Sequence, residues 1–257
     1  MVSVDPSSPF PVLLAGVRDE FADRPWDPPA AHWPARPALL GGRDRQAGGT
    51  WLAVDPGALR AACVLNGRGP LAPEAGRLSR GELPLLAAAT GGLDDLDWAR
   101  FDPFHLVCAD LAGVRLWSWD GAAPVERRLG PGLHLIVNTG LEGATEEPGD
   151  TPDEREGAAQ MAARIAHFRP LLAAAGRPEP RAGTTAEAWG GWLPLLDGGG
   201  LDPADRRALV LAREFGEGRR WGTSSVSLVG LSPHGVRYDF SAAPGDPSAW
   251  AVVLPRP

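Results

Sequence analysis

The sequence predicts an α+β fold built on antiparallel sheets. Strand-like segments come in consecutive blocks, turns short enough for hairpins join them, and helical periodicity is confined to a few stretches between the blocks. A doubly wound sheet would instead alternate single strands with helices, because parallel neighbours need long crossovers. The 257 residues are read as a single domain spanning 1–257, long enough to bury a substantial core.

Val2 to Asp5 alternates as a strand, Pro6 to Pro9 turns, and Val12 to Val17 returns as a near-continuous apolar run. That run suits a strand buried on both faces, paired with the first as a hairpin. Residues 21–38 are proline-rich but carry Trp26, His32 and Trp33, so an ordered excursion is expected. Gly41-Gly42 and Gly48-Gly49 then bracket a charged loop of Arg43, Asp44 and Arg45. Glycine pairs are costly in backbone entropy and mark positive φ or close backbone approach. Gly48 to Val54 and Leu59 to Leu65 are the next strands, joined by a tight turn at Asp55-Pro56-Gly57.

Ser79-Arg80-Gly81-Glu82 has the capping-box pattern before Leu83, Leu85 and Leu86, so a helix is expected there, stopped by Gly91-Gly92. Phe104 to Ala109 and Val114 to Trp119 form a hairpin, and Val125 to Leu129 and Leu133 to Asn138 continue the sheet pattern. Thr151-Pro152-Asp153-Glu154 is the clearest helix start: a Thr cap, Pro at the first helical position and acids in the first turn. Ala158, Met161, Ala162, Ile165, Phe168 and Leu172 follow as one apolar stripe, with Pro170 expected to kink or divide the helix. Thr184 to Leu196 carries a second capping box and the Trp189/Trp192 pair, a shorter helix before the break at Gly198-Gly199-Gly200. Ala208 to Phe215, Trp221 to Leu231 and Val236 to Phe240 read as strands, the first with a helical alternative, and Trp250 to Leu254 as a closing strand.

Composition narrows the chemistry. All 25 basic side chains are arginines, which excludes a Walker lysine, a pyridoxal-phosphate Schiff base and a Ser-Lys dyad. A net charge of −7 and a pI near 5.3 argue against nucleic acid or an anionic membrane surface as partner. The 33 glycines and 27 prolines suit a GC-rich bacterial genome. Cys63 and Cys108 lie in apolar stretches and read as small buried hydrophobes. No basic region precedes an apolar run at the start and no stretch has the length of a membrane helix, so a cytoplasmic protein with no membrane span is expected. The five scattered histidines suggest no metal site, and neither a Gly-x-Ser-x-Gly elbow nor a GxGxxG turn is present.

Polar residues at the ends of apolar strands remain. Arg18, Asp19 and Glu20 end one, Asn66 a second and Asn138 a third, while Arg219-Arg220 precede the Trp221 strand. Layered sheets tend to place a site where such ends converge.

Along nearly its whole length the chain resembles the NRDE family, also called the Transport and Golgi organisation 2 family. Val17-Arg18-Asp19-Glu20 matches the name-giving Asn-Arg-Asp-Glu at three of four positions. Gly41-Gly42-Arg43-Asp44 and Gly48-Gly49-Thr50-Trp51 match its glycine-rich signature, and Asn66, Ser79-Arg80-Gly81, Asn138 and Gly222-Thr223-Ser224-Ser225 its later ones. The resemblance implies a four-layer αββα sandwich of two mainly antiparallel sheets, similar to N-terminal-nucleophile hydrolases. In those enzymes an N-terminal Cys supplies nucleophile and base for amide hydrolysis. It further implies that Arg18 and Asp19 orient the nucleophile, Asn66 or Asn138 serves an oxyanion, and Arg220 closes the site. Glu20, Arg43, Asp44 and Trp51 are the corresponding ligand-binding candidates. The family opens Met-Cys, whereas this sequence opens Met1-Val2-Ser3, and its first strand reads as short by a few residues.

Two functions follow as expectations. The first is a ligand-binding or vestigial hydrolase for which the resemblance implies haem or an acyl-CoA or lipid-related small molecule, with no cofactor required and Trp26, Trp33 and Trp51 near the pocket. The second is a cysteine amidohydrolase acting on C–N bonds, if a Met-Cys start lies upstream.

Overall fold

Hairpins encoded by the turns assemble, in the computed structural model, into two seven-stranded antiparallel sheets. The structure describes residues 1–143 and 151–255. The first sheet contains β1 (Val2–Val4), β2 (Val12–Phe21), β10 (Gly132–His134), β13 (Ala212–Phe215), β14 (Arg219–Ser232), β15 (Gly235–Ser241) and β16 (Trp250–Leu254). Its order is β10-β1-β2-β14-β15-β16, with β13 also paired to β14. The second runs in sequence order through β3 (Trp26–Ala30), β4 (Leu40–Asp44), β5 (Leu52–Asp55), β6 (Arg60–Asn66), β7 (Phe104–Asp110), β8 (Gly113–Trp119) and β9 (Pro124–Leu129). β11 (Ile136–Val137) and β12 (Gly140–Leu141) form a separate small hairpin. The helices are α1 (Glu82–Thr90), α2 (Pro152–Ala174), α3 (Thr185–Trp189) and α4 (Trp192–Leu196). Among the described residues no helix is long and apolar enough to cross a membrane.

Strand alternation sorts the apolar side chains into three clusters. Val2, Leu14, Leu52, Cys63, Val107, Val229 and Tyr238, drawn from both sheets, form one. Ala53, Ala62, Phe104, Leu106 and Cys108 turn to the opposite face of the second sheet, against Leu83 and Leu85 of α1. On the first sheet Leu13, Ala15, Val226 and Leu228 do the same against Phe168 and Leu172 of α2, Trp189 of α3 and Trp192 of α4.

Several elements depart from expectation. The proline-rich excursion contains β3, and the supposed loop at Gly41-Gly42-Arg43-Asp44 lies in β4. Close approach explains the glycines there: a Cβ on Gly42 would sit 2.3 Å from the Trp51 ring, and one on Gly49 would sit 2.5 Å from the Gly81 carbonyl carbon. The Ser79 capping box does not form. Ser79 Oγ accepts from Gly81 N–H, and Gly81 caps α1 without a side-chain bond while its carbonyl accepts from Thr50 N–H at 3.0 Å. α2 begins with the full Thr151–Glu154 capping box and runs through Pro170 without dividing. The second capping box also forms, but the helix it starts ends at Trp189 and a second begins at Trp192. The strand expected from Ala208 is confined to β13, and the Leu133–Asn138 strand splits between β10 and β11.

Candidate functional site

β2 is the element on which the site is built. β1 pairs only with Val12 to Leu14, whereas β14 follows β2 from Val12 to Phe21 on the other edge. Beyond Ala15, therefore, β2 carries a strand on one side only. Consecutive side chains on it face opposite ways, so Arg18 and Asp19 enter different surroundings.

Arg18 turns toward the second sheet. A register shift between Thr223 and Ser225 sets Ser224 against it: Arg18 Nη1 donates to Ser224 Oγ at 2.8 Å, and that hydroxyl donates back to the Arg18 carbonyl at 3.1 Å. The guanidinium lies 4.6 Å from the Trp51 ring centroid, a cation–π contact. It stands 3.6 Å from Glu20 and 3.7 Å from Asp44, while Arg24 pairs with the same two carboxylates at 3.5 and 2.7 Å. Burial pushes the Asp44 carboxyl up, but Arg24 and the amides of Ala47 and Gln46 together hold it below its ordinary value. Two cations and two anions balance, and the cluster ties β2 to β4.

Asp19 turns toward α2. Thr223 Oγ1 donates to Asp19 Oδ1 at 2.7 Å and accepts from Leu211 N–H at 2.9 Å. Arg164 of α2 stands 3.8 Å from Asp19 Oδ2, with Nε and Nη2 lacking hydrogen-bond partners. Burial raises the Asp19 carboxyl above its usual range, against the opposing effects of Thr223, Arg164 and Arg213.

A cavity of about 130 Å³ opens at this free edge of β2. Asp19, Asn138 and Arg164 supply its polar lining, and Met1, Cys63 and Phe168 are among its apolar walls. Val107 of the second sheet and Ile165 of α2 both line it, so it reaches past the start of β1 from one face of the first sheet to the other. Met1 N donates to the Ala15 carbonyl at 2.9 Å at this point. Burial pushes the Cys63 thiol up to about 11, leaving it protonated near neutrality.

The predicted site residues thus separate into groups. Asp19 and Asn138 share the cavity; Arg18, Glu20, Asp44 and Trp51 share the inter-sheet cluster. Arg43 pairs with Asp27 at 2.6 Å on the β3–β4 edge. Asn66 is exposed at the end of β6, and Arg220 is exposed opposite Glu214. No tryptophan lines the cavity. Trp51 instead packs edge-on with Trp26, and Trp33 Nε1 donates to the Gly48 carbonyl. Sequence reasoning missed Arg164. Its signal was a polar residue in register with Phe168 and Leu172: the residues α2 buries are Gln160, Arg164, Phe168 and Leu172, whereas Ala162 is exposed. Among the described residues no group of His, Cys, Asp and Glu is placed to hold a metal ion.

The family model described as Transport and Golgi organisation 2 matches residues 1–167. That stretch contains β2, Asn138 and Arg164, and the bulged segment of β14 lies beyond it. A search of curated proteins finds no match. By the matched stretch, the chain belongs to the Transport and Golgi organisation 2 family.

Proposed function

We propose that this chain binds an apolar small molecule of the acyl or lipid-related class at the free edge of β2. The observation that carries the reading is the cavity itself: mostly apolar walls, with polar groups only at Asp19, Asn138 and Arg164. Apolar pockets with a few placed polar groups are the common form of small-molecule sites. The three core clusters support an αββα, N-terminal-nucleophile-hydrolase-like arrangement of one domain, α1 outside one sheet and α2 to α4 outside the other. A haem macrocycle exceeds the closed cavity, so an acyl chain fits it better. Titration with octanoyl-CoA and, separately, haem, followed by tryptophan fluorescence, tests the reading. Trp189 and Trp192 belong to the same core cluster as Phe168, a cavity wall, and should report occupancy. A saturable change with octanoyl-CoA supports it; no saturable change with either ligand overturns it.

Amide hydrolysis is the second reading, favoured by Asp19 and Asn138 lining one cavity beside the start of β1. Cys63 is a poor nucleophile for it, since burial holds the thiol protonated. Release of amine from an N-acyl amide by purified protein with a sequenced N-terminus would decide for hydrolysis.

A further inference from the structure

Arginine is seldom buried without a partner, because its five donors lose water and need acceptors in exchange. Arg164 departs from this. Its exposure is 9%, yet Nε and Nη2 have no acceptor and the nearest carboxylate oxygen of Asp19 is 3.8 Å away, beyond hydrogen-bond reach. One turn earlier on α2, the Gln160 Nε2 donor is also buried without a partner. Both lie on the helix face that packs on the first sheet, and Arg164 lines the cavity.

Charge points the same way. Arg213 acts electrostatically on both Asp19 and Arg164, so two guanidinium groups stand near one carboxylate, and that carboxylate already holds its proton above the usual range. The polar end of this cavity lacks an anion.

We propose that Arg164 anchors the carboxylate of a small monocarboxylic acid whose apolar tail fills the cavity. Guanidinium Nε and Nη2 form the edge that matches a carboxylate with two parallel hydrogen bonds. A singly charged acid suits the place better than a phosphate monoester, since a dianion costs more to desolvate and would face Asp19. Size limits the tail: a cavity of about 150 Å³ holds benzene, so roughly six to eight heavy atoms fit here. This inference rests on the proposed apolar-ligand reading and adds the head group.

The test compares hexanoate with hexanamide, equal in heavy atoms but different in charge, by ligand-detected NMR titration. Wild type should bind hexanoate at least tenfold more tightly. Arg164→Met should erase that preference while leaving hexanamide affinity within about twofold, and Arg164→Lys should retain part of it. Asp19→Asn, which removes the competing carboxylate, should tighten hexanoate binding and supplies a second test should Arg164→Met fail to fold. Equal binding of the two ligands to wild type, or a preference that survives Arg164→Met, overturns the anchor and leaves the apolar-ligand reading standing. Binding of neither ligand overturns both.

Discussion

Two buried arginine–carboxylate pairs lie on the helix-covered face of the same sheet, and they are built differently. Arg237 and Asp239 on β15 meet in a fork, Nε to Oδ2 at 2.6 Å and Nη2 to Oδ1 at 2.7 Å. Thr185 Oγ1 and Trp189 Nε1 of α3 donate to the remaining faces of the carboxylate at 2.7 and 2.8 Å. Arg237 Nη1 donates to the carbonyls of Arg181 and Gly183. Arg164 and Asp19 share one contact of 3.8 Å and leave two guanidinium nitrogens idle. Desolvating two charges is offset only when geometry and additional hydrogen bonds are good. The first pair meets that condition within the chain and fixes α3 to the sheet. The second does not, and it is the one that lines a cavity.

This contrast can be broken from either side. The largest effect is expected for Asp239→Asn, which leaves Arg237 buried without its counter-charge. Urea denaturation should show a loss of about 3–5 kcal/mol, the usual result of removing one partner of a buried pair. Thr185→Val deletes one donor to the same carboxylate and should cost about 1.5–3 kcal/mol, the range for hydrogen bonds to charged groups. Arg164→Met should change stability by no more than about 1 kcal/mol in either direction, since it exchanges an unsatisfied buried ion for an apolar side chain of similar length. A loss as large as that of Asp239→Asn would make Arg164 a structural residue and end the contrast.

The smallest effect is a slope. Burial raises the folded-state pKa of Asp19 above its ordinary 3.8. Above that value the unfolded chain has released a proton that the folded chain still holds, so stability declines as pH rises through the window between the two pKa values. Asp19→Asn should remove this component, and unfolding curves of both proteins between about pH 4 and pH 7 measure it. His105 contributes with the opposite sign. Burial lowers its pKa below 6.5, so it subtracts stability as pH falls through that value. The Asp19 component is therefore read as the difference between wild type and variant, in which the His105 contribution cancels.

Much of the scaffold was legible in residues a few positions apart. The Asp55-Pro56-Gly57 turn, the β7–β8 hairpin and the Thr151 and Thr184 capping boxes form as read. Local signals failed where a distant segment intervened. The Ser79 box is absent because Gly81 is held against Gly49 and Thr50, and Gly41-Gly42 enters a strand because Leu52 and Trp51 pack against it. Within the candidate site, β2 and Asn138 were found from strand-end polarity. The exposed Asn66 and Arg220 stand apart from the cavity because the ends of β6 and β14 do not converge with it.

By itself the sequence determined the antiparallel hairpins, the caps of α2 and α3, the family of the chain and the polar end of β2, since each depends on neighbours or on an ordered set of motifs. It also placed Arg18 and Asp19 on opposite faces of β2, through the two-residue period of a strand. Only the tertiary structure decided what those faces meet: Trp51 and Asp44 on one, Thr223 and Arg164 on the other. Whether a buried charge is satisfied depends on acceptors brought in by other elements. The packing of α2 against β2, which no local pattern encodes, is what leaves Arg164 without them.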